Sequence, residues 1–306
     1  IVLVWLGGMK GVAITDAAQG VFMFAGLLGG SLWVILANFP SVADAYQAAF
    51  SHTPELFTMP GPNGVVTAQD WVSRWIVITF GMMMFPQVTL RFFAGKNLNV
   101  MKWSAVFSSI YLTMIYVFTP CVGMIGRLLM PDIAAPDTIF PELLLKYTPA
   151  VFAALIISGA LAAAMSTGDS QLHATSTMVA TDIYKKFVNK KANENTLYNG
   201  VLIIGLASVV FALTRPTALA DLLVLSNGGV AVLVPAVIGG LYWKKATREG
   251  AIASIVIGEI CMVSMTFIFK VSPFGFSGAL CSMLISLIIF VNVSFITKPQ
   301  AHTSEV

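Results

Sequence analysis

A band of hydroxyl, carboxylate and imidazole side chains interrupts an apolar stretch near the middle of the chain. The apolar residues run from Ala150 to Leu161, and the polar band follows closely. Its members are Ser166, Thr167, Asp169, Ser170, Gln171, His173, Thr175, Ser176 and Thr177. The apolar residues would carry this band to about the middle of a membrane, where a carboxylate costs about 2.5–3.5 kcal/mol. The band therefore indicates a helix inside a bundle, with oxygen ligands for a small, hard ion.

Ser166 and Thr167 are the best candidates for binding such an ion. They are neighbours, about 100° apart around a helix, and Ala163 lies one turn earlier. Hard monovalent cations prefer hydroxyl and carbonyl oxygens to nitrogen or sulfur. The two hydroxyls and the Ala163 carbonyl could therefore bind one cation. Alternatively, the hydroxyls bond only to carbonyl groups of the preceding turn, as often happens in membrane helices. The residues by themselves leave both interpretations open.

The composition places the chain among integral membrane proteins. Of its 306 residues, 57% are hydrophobic and 10% are charged, and its mean hydropathy is +0.85. Soluble domains usually carry about 25% charged residues. Apolar segments of about 20 residues favour helices over a barrel of short strands. The expected fold class is all-α, a polytopic membrane helix bundle. Because the chain starts with Ile1 inside an apolar run, we expect a fragment without its natural N-terminus.

No group of residues predicts catalysis or a resident metal. Cys121, Cys261 and Cys281 lie in apolar segments without a C-x-x-C spacing, which is typical of packing residues. The three histidines are scattered, and no nucleophile–base order or phosphate-binding glycine motif stands out. The net charge of +3 comes from lysines and arginines in loops. We therefore predict no enzyme and no nucleic-acid partner, with the lipid bilayer as the surroundings.

The apolar segments predict about eight complete spans after a short N-terminal stub, in a single transmembrane domain covering residues 1–306. The spans are expected near Val12–Asn38, Trp71–Leu90, Trp103–Met130, Thr148–Lys186, Leu197–Thr214, Thr217–Trp243, Glu249–Lys270 and Phe276–Thr297. With these spans, the loops on one side of the membrane hold most of the basic residues, the last of which is Lys298. Loops on the other side hold acids such as Asp221. By the positive-inside rule, the basic side and the C-terminus are cytoplasmic, in a bacterial-type plasma (inner) membrane.

Three separated motifs resemble the sodium:solute symporter family. The polar band contains Ala164-Met165-Ser166-Thr167-x-Asp169-Ser170-x-Leu172, which is similar to the signature helix of that family. Gly7-Gly8-Met9-Lys10-Gly11, followed by Thr15-Asp16-x-x-Gln19, matches an earlier family motif. Gly240-Leu241, Lys245 and Gly250-Ala251-x-x-Ser254 match a later one.

The resemblance implies the leucine-transporter type of inverted-repeat fold, incomplete at the N-terminus. The implied coupling ion is sodium, with the carbonyl of Ala163 and the hydroxyls of Ser166 and Thr167 as ligands. The implied function is a sodium-coupled secondary transporter that imports a small organic solute by alternating access. The solute would be a carboxylate, an amino acid or a vitamin. A symporter-like membrane sensor domain without transport is the alternative, since such domains also occur fused to signalling kinases.

Asp16 has two interpretations. As an acid near the start of the first full span, it could cap that helix and interact favourably with the helix dipole. The family resemblance implies a place on the cytoplasmic route of sodium release. Both roles could hold together.

The second span is interrupted by a proline. Pro86 removes a helical hydrogen bond, and transporters bind substrate at broken helices. Phe85, Pro86 and Gln87 are therefore candidates for the substrate path, with a simple proline kink as the alternative. The segment resembles the pantothenate-, proline- and carboxylate-type branches of the family. In the pantothenate and proline branches a histidine follows the proline, with an arginine four residues later. Here Gln87 replaces that histidine and Arg91 is present, so the identity of the solute does not carry over.

Asp169 and His173 are spaced i, i+4 and could form a polar pair on one helix face. Such a pair would be structural, or it would support proton coupling, because histidine titrates near neutrality. Alternatively, the two side chains make separate contacts to neighbouring helices.

Overall fold

The computed structural model describes residues 1–61, 64, 66–191, 194–214 and 219–297. These residues form helices and connecting loops without a strand, which confirms the all-α prediction. The α-helices of the described residues are α1 (Val2–Asn38), α2 (Val42–His52), α3 (Ala68–Met84), α4 (Pro86–Phe93), α5 (Leu98–Leu129), α6 (Ile139–Tyr147), α7 (Ala150–Met178), α8 (Glu194–Leu213), α9 (Leu219–Ala231), α10 (Val234–Tyr242), α11 (Arg248–Val263) and α12 (Gly278–Ile296).

Six stretches in the described part of the chain are long and apolar enough to cross a membrane, so the protein is an integral membrane protein. The bent pair α3 and α4 would make a seventh. The predicted span near Leu197–Thr214 forms α8, but its apolar part, Asn199–Leu213, is shorter than the other spans. The total of eight spans and the single domain stay predictions. Lys298 and the predicted cytoplasmic tail lie outside the described residues, as does the side chain of Asp221.

The predicted stub and first span form one helix, α1, with a kink at Gly8. Gly8 has φ 51° and ψ −156°, which a residue without Cβ adopts most easily. Two segments predicted as loops contain short helices, α2 and α6. The Ser41 hydroxyl caps α2 by accepting a hydrogen bond from the Asp44 amide across 3.2 Å. This cap satisfies one free amide at the start of α2.

The described residues form two compact units. Unit 1 contains Ile1–Thr58 and Leu90–Pro216, and unit 2 contains Met59–Thr89 and Thr217–Val306.

In unit 1, α1 and α7 run antiparallel and are in van der Waals contact near two glycines. A Cβ added at Gly26 would lie 3.4 Å from Ile156, and one added at Gly159 would lie 3.6 Å from the Phe22 carbonyl oxygen. Small residues allow membrane helices to approach in this way. A buried apolar cluster supports the pair. It comprises Val34, Val122, Leu143, Leu144, Ala153 and Ile156.

In unit 2, α3 packs on α9 and α11 packs on α12. A Cβ at Gly81 would lie only 2.6 Å from the backbone oxygen of Asn227, so α3 can pack here only with a glycine. The third family motif holds α11 against α12, because a Cβ at Gly250 would lie 2.2 Å from the Ser294 hydroxyl. The motif is thus a packing feature, as its small residues indicated.

Candidate functional site

The three predicted sodium ligands lie together on α7. The Ser166 hydroxyl donates a hydrogen bond to the Ala163 carbonyl oxygen across 2.8 Å. Thr167 is exposed, and its hydroxyl makes no hydrogen bond to any described residue. The back-bonding alternative therefore describes Ser166, and ion binding at either hydroxyl stays a prediction. Ser166 bonds back to the preceding turn, whereas the Thr167 oxygen is available to a ligand.

The chemistry of this group fits a hard cation. All three candidate atoms are uncharged oxygens, the kind of ligand that alkali ions accept in proteins. The surface next to Ala163 is different. A cavity of about 180 Å³ between α1, α6 and α7 is lined by apolar side chains such as Met23, Phe140 and Ile156. The side chains around that cavity offer no polar partner to a charged solute. In this part of α7, the polar groups that could bind an ion are therefore the hydroxyls of Ser166 and Thr167 and the carbonyl of Ala163.

A second polar cluster joins three segments of unit 1 around Asp16. The Ser170 hydroxyl on α7 donates a hydrogen bond to Asp16 Oδ2 across 2.9 Å. Arg91 Nη2 donates to the same carboxylate oxygen and also to the Ser170 hydroxyl, the latter across 2.7 Å. Asp16 Oδ1 is buried and has no hydrogen-bond partner among the described residues, and the same holds for Oε1 of Gln19. One carboxylate oxygen is thus fully engaged, while the other remains able to accept a donor or a cation.

The capping interpretation of Asp16 is wrong. Asp16 lies well inside α1, beyond the kink at Gly8, so the amides around it are not those of a free helix start. The neighbouring Thr15 hydroxyl bonds back to the carbonyls of Gly11 and Val12, at 3.0 Å each. The partners of Asp16 are side chains that lie far away in the sequence.

Arg91 and Ser170 are the site residues that sequence analysis did not assign. The sequence shows that Arg91 follows Gln87 by four residues and that Ser170 belongs to the polar band. Nothing in the sequence indicates that both residues contact Asp16, because these contacts depend on how the helices pack in three dimensions.

Asp169 and His173 are not joined by a hydrogen bond or an ion pair among the described residues. Asp169 is 7% exposed, and its Oδ2 is buried without a hydrogen-bond partner in the described part of the chain. His173 is partly buried, and its carbonyl accepts the Thr177 hydroxyl across 2.8 Å. The i, i+4 spacing thus did not bring the two side chains together.

The helix break at Pro86 is sharper than a simple kink. α3 ends at Met84, and Phe85 has an extended backbone with φ −63° and ψ 131°. α4 leaves at an angle of 48° to α3. Because Pro86 has no N–H, the Met82 carbonyl loses its helical partner. The Phe85 carbonyl accepts a hydrogen bond from the Thr89 hydroxyl across 3.3 Å.

Gln87 stands just after this break, in unit 2. Its Oε1 is buried and has no hydrogen-bond partner from the residues that the structure describes. Buried amide oxygens in native proteins are almost always paired, so an unpaired one marks a position where a ligand or water can bind.

Comparisons with known proteins agree with this architecture. The sodium/pantothenate symporter of Haemophilus influenzae is 27% identical over 296 residues, covering 94% of this chain and 60% of the relative. The osmoregulated proline transporter OpuE of Bacillus subtilis is 26% identical, covering 97% of this chain and 61% of the relative. The chain thus spans about three-fifths of the length of the curated relatives it matches.

A solved structure has a similar fold. It is the substrate-bound, outward-open state of a Na⁺-coupled sialic acid symporter, with a TM-score of 0.79 and 16% sequence identity. The similarity covers 96% of this chain and 64% of that chain. It confirms the leucine-transporter-type helix bundle. The model of the Sodium:solute symporter family matches residues 1–258. The chain therefore belongs to the sodium:solute symporter family.

Proposed function

We propose that the protein imports a small organic solute together with Na⁺ by alternating access. The single observation that carries this proposal is the group of carbonyl and hydroxyl oxygens at Ala163, Ser166 and Thr167. It lies on the helix that resembles the signature of the sodium:solute symporter family, and the sodium/pantothenate symporter and the Na⁺-coupled sialic acid symporter are sodium-coupled by name. Family membership and the break between α3 and α4 support the same conclusion, because symporters bind solute at discontinuous helices.

Sodium would bind to the Ala163 carbonyl and the two hydroxyls. The Ser166 hydroxyl donates a hydrogen bond to the Ala163 carbonyl oxygen, so the two oxygens are already close together. On binding, the serine hydroxyl turns and its lone pairs accept the ion beside the carbonyl. Thr167 needs no such change, because its hydroxyl has no protein partner to give up. Binding would favour the outward-open state and raise the affinity for solute.

Asp16 would lie on the cytoplasmic route of sodium release. Its Oδ1 is the buried, unpaired carboxylate oxygen, and a departing cation would meet it. The guanidinium of Arg91 already partly neutralises the carboxylate through Oδ2. A cation would therefore be held at Asp16 less strongly than at a lone carboxylate, which suits a transit position rather than a tight site.

Phe85, Pro86 and Gln87 would form part of the solute path. The unpaired Oε1 of Gln87 can accept a hydrogen bond from a solute hydroxyl, amide or ammonium group. The named relatives transport pantothenate, proline and monocarboxylic acids. We therefore propose a carboxylate, an amino acid or a vitamin as the solute.

We place the protein in a bacterial-type plasma (inner) membrane with a cytoplasmic C-terminus. The distribution of lysines and arginines among the predicted loops supports this orientation.

Uptake into proteoliposomes tests the proposal. Radiolabelled pantothenate, proline and short carboxylates are supplied outside, with either an inward Na⁺ gradient or an equal K⁺ gradient. We expect uptake of one class of solute above its equilibrium level only with Na⁺. Solute accumulation that is the same with K⁺ would contradict sodium coupling. Solute-dependent conformational change without any accumulation would favour the sensor.

A further inference from the structure

A short basic segment follows the end of α7 and continues the same span. Residues 181–191, which we call the basic tip, contain Lys185, Lys186, Lys190 and Lys191, and Asp182 is their one acid. Most of the tip belongs to the π-helix Val179–Val188. Every residue of the tip is exposed. The lysines make no ion pair with a described residue, and Asp182 instead accepts the Thr181 hydroxyl across 3.2 Å. Among the side chains that the structure describes, no acid thus neutralises the positive charge of the tip.

Apolar side chains lie between these lysines. Phe187 is 76% exposed and Val188 is 68% exposed, and Ile183 and Tyr184 are also exposed. The Lys186 ammonium lies 5.8 Å from the centre of the Phe187 ring. An exposed segment that contained lysines without apolar residues would be typical of a solvated loop. Apolar residues at the same exposure, next to cations, are typical of segments that lie at a membrane surface, where the rings enter the lipid and the ammonium groups stay among the headgroups.

The length of the span places the tip at that surface. Ala150–Val188 contains 39 residues. At about 1.5 Å per residue this corresponds to roughly 55 Å, whereas the hydrocarbon core is about 30 Å thick and the bilayer with headgroups about 40–45 Å. The helix is therefore longer than the apolar layer. The charged end of the helix therefore extends out of the hydrocarbon core, and the basic tip lies in the headgroup region of the bilayer.

We propose that the basic tip is a binding site for anionic phospholipids. The partner chemistry is a lipid phosphate with net negative charge, as in phosphatidylglycerol, bound by the four ammonium groups, with Phe187 and Val188 in contact with the acyl chains. Clusters of lysine next to a membrane span attract anionic lipids through both contact and surface potential. This inference rests on membrane insertion and the geometry of the tip, and it does not require the proposed transport activity.

Native mass spectrometry of the intact protein tests the site. The protein is exchanged into micelles containing equal amounts of phosphatidylglycerol and phosphatidylcholine, and the bound lipids are counted. The test variant carries Lys185→Gln, Lys186→Gln, Lys190→Gln and Lys191→Gln. A matched control loses four exposed lysines elsewhere, through Lys96→Gln, Lys102→Gln, Lys244→Gln and Lys245→Gln. A third variant replaces the four tip lysines by arginine. Melting temperatures of all variants verify that they are folded.

We expect the glutamine variant of the tip to lose its preference for phosphatidylglycerol by about tenfold. The arginine variant should keep this preference, and the control should lose clearly less. The proposal is overturned if the tip variant retains phosphatidylglycerol like the unmodified protein. It is also overturned if the control loses as much, because the net charge alone would then explain the binding.

Discussion

The hydroxyl of Ser170 donates a hydrogen bond to Asp16 across 2.9 Å, although 154 residues separate the two in the chain. Arg91 donates to both, which joins α1, α4 and α7 in one polar cluster within unit 1. The side chain of Asp16 is mostly buried, whereas that of Arg91 is 57% exposed. Because Arg91 and Ser170 donate to the same carboxylate oxygen, we expect the contributions of the three side chains to depend on one another.

We expect Asp16→Asn and Arg91→Gln to be strongly non-additive. Each substitution removes the same ion pair, so the double variant should lose little more sodium-dependent uptake than the worse single variant. The coupling free energy should be about 1 kcal/mol or more. A double-mutant cycle on initial uptake rates measures it. Arg127→Gln is the control, because Arg127 donates to the Pro131 carbonyl across 2.7 Å rather than to a carboxylate. If the fractional uptake of the double variant equals the product of the fractions kept by the two single variants, the ion pair has no functional role.

Thr167→Ala should raise the sodium concentration needed for half-maximal uptake by about tenfold, which corresponds to about 1.4 kcal/mol. The reason is that Thr167 offers the one hydroxyl of the pair without a protein partner. Thr167→Ser keeps the hydroxyl and should remain near the original value. Uptake at a series of Na⁺ concentrations gives the result, and an unchanged sodium dependence in the alanine variant would reject this ligand.

Gln87→Ala should raise the KM for the solute and leave the sodium dependence at saturating solute unchanged. The substitution removes the unpaired buried Oε1, which we assign to the solute and not to the ion. Gln47→Ala is a matched control, because Gln47 is exposed on α2. If the alanine variant at Gln87 shifts the sodium dependence without changing the KM, the assignment to the solute path is wrong.

Gly81→Ala should destabilise the protein by about 1–3 kcal/mol. The added methyl group would lie 2.6 Å from the backbone oxygen of Asn227, and backbone cannot move aside as a flexible side chain can. Gly123→Ala is the control, since a Cβ there would have no neighbour within 4 Å. Thermal unfolding in detergent should show a lower melting temperature for the first variant and no decrease for the second. Equal melting temperatures would mean that α3 and α9 are less tightly packed than described.

The sequence by itself determined the helical class, most span positions and the break at Pro86. These features depend on local physics. Apolar length selects membrane helices, and a missing N–H at Pro86 breaks the hydrogen-bond ladder regardless of the rest of the chain. The sequence also brought Ala163, Ser166 and Thr167 together, because they lie within about one turn of a single helix.

Tertiary structure decided the partners of the charged and polar side chains. Helix capping was one of two interpretations of Asp16, but this residue contacts Ser170 and Arg91. A pair between Asp169 and His173 was one possibility, but no hydrogen bond or ion pair joins the two among the described residues. Helical spacing shows which residues share a face, whereas a contact between helices depends on their register. Here α1 and α7 are in contact near Gly26 and Gly159, where an added Cβ would lie at van der Waals distance from Ile156 and Phe22. Such contacts depend on the whole packed unit, so no single segment of the sequence contains them.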